Sequence, residues 1–301
     1  MIPSAFTPDT RFTMPFSRRM VLFVCFFLLC FVIGSVLTAV IMAVGKGSVP
    51  SLRIATVVQD ILIFVVPAIA TAVMITRRPD WFLNVGKAPG AAMSLLVVCV
   101  MIVSVPAMNV VVEWNQNIHL PESLGALEKA MRDAEISAQT AIGQLIGGSS
   151  VMSCVLGVLI VGLLAGFSEE LFFRGTLQRL LVTKPVNAHV AIWVTAIIFS
   201  AVHFQFFGFV PRMLLGALVG YIAWWTGNLW LPVIAHAVNN SMVVIVTWMM
   251  ANGILSSDPN TIGTTDSVSD LIFAVVSLTL TAVGICLIRH ISQKNALKYV
   301  D

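Results

Sequence analysis

Charge is the scarcest thing in this chain: Asp, Glu, Lys and Arg together make up 10% of 301 residues, against 58% hydrophobic. So little polar surface cannot wrap a water-soluble core of this size, which excludes a soluble enzyme and leaves the lipid bilayer as the solvent. The 17 basic and 14 acidic residues nearly cancel and are scattered, so no electrostatic footprint for nucleic acid exists. Cysteine is sparse too. Cys25, Cys30, Cys99, Cys154 and Cys286 sit singly in apolar runs, with no CxxC pair and no histidine at zinc-finger spacing. That excludes a disulfide framework and reads them as small buried hydrophobes. HExxH is absent, and no serine lies in a GxSxG-type setting; Ser168 and Ser200 read as small packing residues. Asp60 is the only aspartate deep inside an apolar run, Asp270 lying at the very start of the last one, so an intramembrane aspartate dyad is missing; Asp60 reads as a polar interhelical contact near the outer end of its span.

What the chain has in abundance is long apolar runs. Crossing about 30 Å of hydrocarbon takes roughly 20 apolar residues in a helix. Runs of that kind fall at 20–44, 54–76, 90–112, 150–172, 188–209, 211–227, 230–252 and 268–288, the sixth short and dotted with Gly216 and Gly220. The first exceeds the usual apolar length of a signal sequence and no A-x-A site follows it, so it reads as a retained span. The expected fold is all-α: a polytopic transmembrane bundle of about eight spans, one membrane domain over 1–301 with a catalytic core at about 150–252. Between the third and fourth runs lies the polar segment 113–140, whose stretch LEKAMRDAEISAQ reads as either a surface helix on the membrane or a solvated loop.

Basic residues are retained on the cytoplasmic side. Placing both termini inside puts Arg11, Arg18, Arg19, Arg77, Arg78, Lys87, Arg174, Arg179, Lys184, Arg289, Lys294 and Lys298 on that face, and leaves Lys46, Arg53, Lys129, Arg132 and Arg212 outside. The expectation is N-in/C-in, in a bacterial cytoplasmic (inner) membrane. Arg212 reads as interfacial snorkelling or, less simply, as facing a cavity, and Trp224, Trp225 and Trp230 as an aromatic belt.

Against this apolar background the polar residues inside spans stand out, because each costs at least a few kcal/mol unless it has a partner or a task. The fourth run contains FSEELFFRG, with Glu169 and Glu170 adjacent and Arg174 one turn after Glu170. Neighbouring helical residues point about 100° apart, whereas i and i+4 share a face. Glu170 can therefore pair with Arg174, while Glu169 is left to face a cavity. A buried ion-pair network or helix anchor would account for the same three residues. The fifth run carries Phe199 one turn before His203, and the seventh places His236 and Asn240 at i and i+4. A carboxylate, two imidazoles and a carboxamide on three helices suit amide hydrolysis: a base takes a proton from water, an imidazole orients the water, and donors stabilise the oxyanion. Glu169, His203 and His236 are also a donor set that zinc accepts, but asparagine is a poor zinc ligand and a good oxyanion donor, which favours chemistry with no cofactor while leaving zinc open. Linear depth does not bring the two histidines level: His203 lies about 15 residues into its run and His236 about six into its own, so tilt or a short or kinked helix is required.

Glu169-Glu170-x-x-x-Arg174, Phe199-x-x-x-His203 and His236-x-x-x-Asn240, in that order on hydrophobic helices, resemble the CPBP family of CAAX proteases and bacteriocin-processing enzymes, which is type II CAAX prenyl endopeptidase-like. The resemblance implies an intramembrane endopeptidase. In it Glu169 activates water, His203 helps to position it, and His236 with Asn240 forms the oxyanion site. Glu170 and Arg174 support that site, and Phe199 packs beside it. The substrate implied is a membrane-associated peptide or protein, with the lipid bilayer as the surrounding partner. Two other classes fit the composition: a non-catalytic immunity or scaffold protein, and a proton-coupled transporter, the latter disfavoured by the lack of internal repeats.

Overall fold

The computed structural model describes residues 12–182, 187–256, 262–264 and 267–297. Arg11, Lys184 and Lys298, assigned above to the inner face, lie outside these. Among the described residues every regular element is helical, and the one β contact is an isolated bridge between Phe12 and Thr76. In chain order the helices are α1 (Phe16–Val44), α2 (Val49–Ile75), α3 (Pro79–Leu83), α4 (Ala91–Val103), α5 (Val105–Gln116), α6 (Gly125–Ile146), α7 (Val151–Val182), α8 (Ala188–Ala201), α9 (Phe209–Thr226), α10 (Trp230–Ala251) and α11 (Val268–Leu297).

Six helices, α1, α2, α7, α9, α10 and α11, are long and apolar enough to cross a membrane, and the bent pair α4–α5 makes a seventh. The run at 188–209 yields only the 14-residue α8, which stops at Ala201. Leu28, Val32 and Val36 on α1 and Leu278 and Val283 on α11 are each more than half exposed. In water such faces would drive aggregation; in a bilayer they are the lipid-facing surface of an integral membrane protein. The same surface corrects the reading of the cysteines: Cys25, Cys99 and Cys286 are exposed on it and only Cys30 is buried.

Three local devices shape the bundle. Pro106 cannot donate to the turn before it, and the helix bends by 44° between α4 and α5. The Ser277 hydroxyl of α11 fills the break, donating to Val103 O at 2.5 Å and accepting from the Ala107 N–H at 3.0 Å. Secondly, π-helical turns interrupt α2 at Ile61–Val65, just before Pro67, and α7 at Val158–Leu164 and Phe173–Leu177. Such turns widen the side-chain spacing and re-aim the residues beside them. Finally, α7 packs on α10 through glycines: a Cβ on Gly157 would meet Val244, one on Gly162 would meet Ser241, and one on Gly166 would lie 3.0 Å from Ala237 N and 3.2 Å from its Cα. Small residues let two backbones approach where lipid supplies no hydrophobic drive. We expect Gly166→Val to force these helices apart, costing about 1–3 kcal/mol by overpacking. Thermal unfolding in detergent measures the cost, and Glu169 and His236, carried on the two helices, should be moved apart with them.

One end of the bundle gathers the segments bearing Arg18, Arg19, Arg77, Arg78 and Lys87. Phe12 bridges to Thr76, the Arg179 guanidinium lies 5.2 Å from the Trp81 ring centre, Trp230 Nε1 donates to Val85 O, and Asn228 donates to Lys87 O. Three arginines assigned to that face from sequence are buried, Arg19 at 6%, Arg174 at 2% and Arg179 at 3% exposure. Trp230 is pinned by its indole N–H and stacks on Phe167, a packing role beyond a belt.

At the other end the polar segment forms α6, tied down by Arg53 Nε to Leu145 O and Trp248 Nε1 to Ser149 O. Its first turn is clamped by Glu128, which accepts from the Leu120 N–H at 2.7 Å, from Arg132 at 2.7 and 2.9 Å, and contacts His119 Nδ1 at 3.1 Å. The Leu120 backbone donor first, then Arg132, hold this carboxyl down at about 2 from an ordinary 4.5. A group with a depressed folded pKa contributes stability above its unfolded value and loses it as pH falls toward the folded value. Segment 118–132 should therefore lose protection against amide hydrogen exchange, measured relative to the intrinsic rate at each pH, as pH drops from about 5 toward 2, and Glu128→Gln should produce the same loosening at neutral pH.

Candidate active site

The charged triplet sits two-thirds along α7, deep in the bundle. Glu170 is fully buried and Arg174 2% exposed. Arg174 Nη1 donates to Glu170 Oε1 at 2.5 Å, Nη2 donates to Gly216 O of α9 at 2.7 Å, and the guanidinium stacks 4.8 Å from the Phe199 ring centre. Gly216 allows this, since a Cβ there would press on Phe199 and Arg174. The carbonyl and the carboxylate together compensate a charge that could not otherwise be buried.

Glu170 has a second task. Its Oε1 lies 2.8 Å from His236 Nδ1, a side chain 5% exposed on α10. A carboxylate accepts, so Nδ1 carries a hydrogen, and in the neutral form of the ring the lone pair lies at Nε2. That Nε2 is 3.8 Å from Glu169 Oε2, which has no hydrogen-bond partner although it is buried. His203 follows α8 in a tight turn, and its Nδ1 is 2.8 Å from Phe199 O. A carbonyl only accepts, which again leaves Nε2 as the free position. Both imidazoles pack edge-on against Phe199, at ring distances of 5.2 and 5.7 Å. α8 ends at Ala201, so His203 is carried by a short helix and its ring meets that of His236 at Phe199.

Asn240 lies one turn beyond His236 and donates to Val161 O in the π-helical stretch of α7, while its Oδ1 accepts from Asn239. One amide hydrogen is thus fixed to the backbone, where the π-turn exposes a carbonyl, and the other remains for a ligand. Among the described residues no three His, Cys, Asp or Glu side chains converge closely enough to hold a metal ion.

Two charged residues near the site were misplaced by sequence reasoning. Asp60 is not at the outer end of its span but midway along α2, 7% exposed, with Oδ2 unpartnered and its charge within reach of Glu169. Its position just before a π-turn and Pro67 is a signal that apolar-run counting ignores. Arg212 does not snorkel; it turns inward and donates to Gln205 Oε1 at 2.8 Å.

A polytopic membrane protein with an acid–imidazole cluster walled in by its helices is thus the class that fold and site define. The part of the chain carrying that cluster, residues 151–242, matches the family described as Type II CAAX prenyl endopeptidase Rce1-like. A curated relative, the uncharacterized protein YpbD of Bacillus subtilis (strain 168), is 34% identical over 83 residues, covering 26% of this chain and 39% of the relative. The chain thus spans about two fifths of that relative's length. No solved structure matches.

Proposed function

We propose that this protein is an intramembrane endopeptidase that hydrolyses a peptide bond of a membrane-associated peptide or protein, with Glu169 as the base. The observation that carries the reading is the 3.8 Å separation of Glu169 Oε2 from His236 Nε2, two acceptors whose flanking groups are already fixed. They are too far apart for a direct hydrogen bond and well spaced for one water to donate to both. Glu169 takes a proton from that water as its oxygen attacks the carbonyl carbon. His203 Nε2 helps to orient the water or the scissile amide, and the remaining Asn240 amide hydrogen faces the oxyanion. When the tetrahedral adduct collapses, the proton on Glu169 passes to the leaving amine, which balances the reaction. Glu170 and Arg174 keep His236 in the tautomer the scheme requires, and Phe199 sets the spacing of the two rings. No step is routed through a metal.

The family match of 151–242 supports the peptidase class, and a catalytic core at about 150–252 within one membrane domain is part of the proposal. The gathering of Arg18, Arg19, Arg77, Arg78 and Lys87 at one end supports an N-in/C-in arrangement in a bacterial cytoplasmic membrane, which sets the site below α6 on the outer side. The test is cleavage of a mixed membrane-peptide library by the purified protein, read by mass spectrometry. The wild type, with and without a zinc chelator, is compared with Glu169→Ala. Cleavage lost in the variant and kept under chelation supports the reading. Loss on chelation restored by zinc replaces it with a metalloprotease. Cleavage surviving in Glu169→Ala, or none by the wild type, overturns it, the latter in favour of a non-catalytic scaffold.

A further inference from the structure

Helix α6 roofs the turn that follows His203, and the contact between them has an unusual composition. Gln205 stands between two opposite charges: its Nε2 donates to Glu135 Oε1 of α6 at 3.0 Å, and its Oε1 accepts from Arg212 Nη2 of α9 at 2.8 Å. A direct Glu135–Arg212 pair would satisfy both ions. The neutral amide instead holds them apart, and each keeps one buried atom with no partner, Glu135 Oε2 and Arg212 Nη1. Leaving a buried charged donor and acceptor unfilled is costly, so such atoms mark places where a ligand completes the network.

The frame around them is fixed. Asn115 at the end of α5 clamps the turn through its Nδ2 on Phe206 O at 3.2 Å and its Oδ1 under the Val210 N–H at 2.8 Å. Arg132 of α6 lies 4.1 Å from the Phe207 ring centre. Beside Glu135 a cavity of about 370 Å³ opens between α6 and this turn, lined by Gln116, Arg132, Glu135, Ile136, Gln139 and Phe207. That volume is in the range of ligand pockets. Phe204, 84% exposed and held at a φ of 54°, is the residue that reverses the chain between His203 and Gln205. This is a strained conformation for an aromatic residue, and it links the histidine to the cleft.

We propose that the cleft between α6 and the 204–212 segment is a peptide-holding subsite, in which Arg212 Nη1 donates to a main-chain carbonyl and Glu135 Oε2 accepts a main-chain N–H. The ligand is an extended, polar stretch of polypeptide next to the scissile bond, because a peptide main chain presents both a carbonyl for Arg212 and an N–H for Glu135, as a sheet edge does. The proposal rests on the endopeptidase reading, and Arg212 and Glu135 act in it as substrate-holding residues, not as parts of the bond-breaking machinery.

Two measurements test it. In a Glu169→Gln background, a photo-crosslinking benzophenone amino acid at Ile136, which is 60% exposed at the cavity, is irradiated with the same membrane-peptide library. Capture of peptides is expected, and its loss on adding Arg212→Gln or the isosteric Glu135→Gln. In the active protein, with the first library peptide it cleaves, each variant should raise KM about tenfold while kcat stays within about threefold, the signature of lost uniform binding. A fall in kcat at constant KM, or capture indifferent to both substitutions, overturns the subsite. Should Arg212→Gln fail to fold in detergent, Glu135→Gln decides alone. The two readings separate cleanly: cleavage without capture at Ile136 removes the subsite only. Arg212-dependent capture without wild-type cleavage upholds the peptide subsite and removes the hydrolase.

Discussion

Glu169→Gln should eliminate peptide cleavage, with a loss of roughly 10²–10⁴-fold in kcat, and leave the folded protein at least as stable as the wild type. Both halves follow from the same geometry. Oε2 of Glu169 has no hydrogen-bond partner and lies 3.8 Å from His236 Nε2, so the amide removes no hydrogen bond made by that oxygen. A buried charge left without a partner is a burden on stability, and its removal relieves the desolvation cost. Natural proteins tolerate such a burden where the group is needed for function. The isosteric amide keeps the volume and cannot take a proton, so activity falls with no structural cause. The checks are kcat on a library-derived peptide and thermal unfolding in the same detergent. A variant that unfolds at much lower temperature would mean that Glu169 is part of the ion-pair network, and one that still cleaves at the wild-type rate would move the base to another group.

Much of this was legible because the bilayer makes polar residues conspicuous. The pairing of Glu170 with Arg174, and the turning of Glu169 away from that pair, needs only the 3.6-residue period and adjacency. The helical class needs only the apolar runs. What escaped had tertiary causes. Hydropathy measures composition, so it extended the fifth run to 209 although α8 stops at Ala201 and the chain reverses at Phe204. It saw no break in the third run, where Pro106 was a usable signal, and it could not foresee that Ser277, some 170 positions away, repairs the break. Gly157, Gly162 and Gly166 carry the closest helix approach in the site, yet they become a stripe only because the π-turn at Val158–Leu164 resets the helical phase between them. Arg212 was misread because its partner, Gln205, lies in the turn that the long-helix expectation had erased.

The ion pair behind the site allows stability and activity to be separated. Arg174→Met alone strands Glu170 at zero exposure with only His236 beside it, and should cost about 3–5 kcal/mol, the usual penalty for unpairing a buried charge. Adding Glu170→Leu removes the stranded charge, and the double variant should recover most of that loss, since replacing a buried pair with apolar groups of similar volume is often neutral. Activity should not recover. His236 Nδ1 would then have no acceptor, its ring would lose the tautomer and orientation that point Nε2 at Glu169, and the water between them would lose one of its two anchors. The expected pattern is a single variant that is unstable and inactive, and a double variant that is stable and still inactive by roughly 10²-fold or more. Thermal unfolding and library cleavage on the three proteins read it out. A stable double variant that cleaves at the wild-type rate would reduce Glu170 and Arg174 to a structural anchor and leave His236 to be oriented by Phe199 alone.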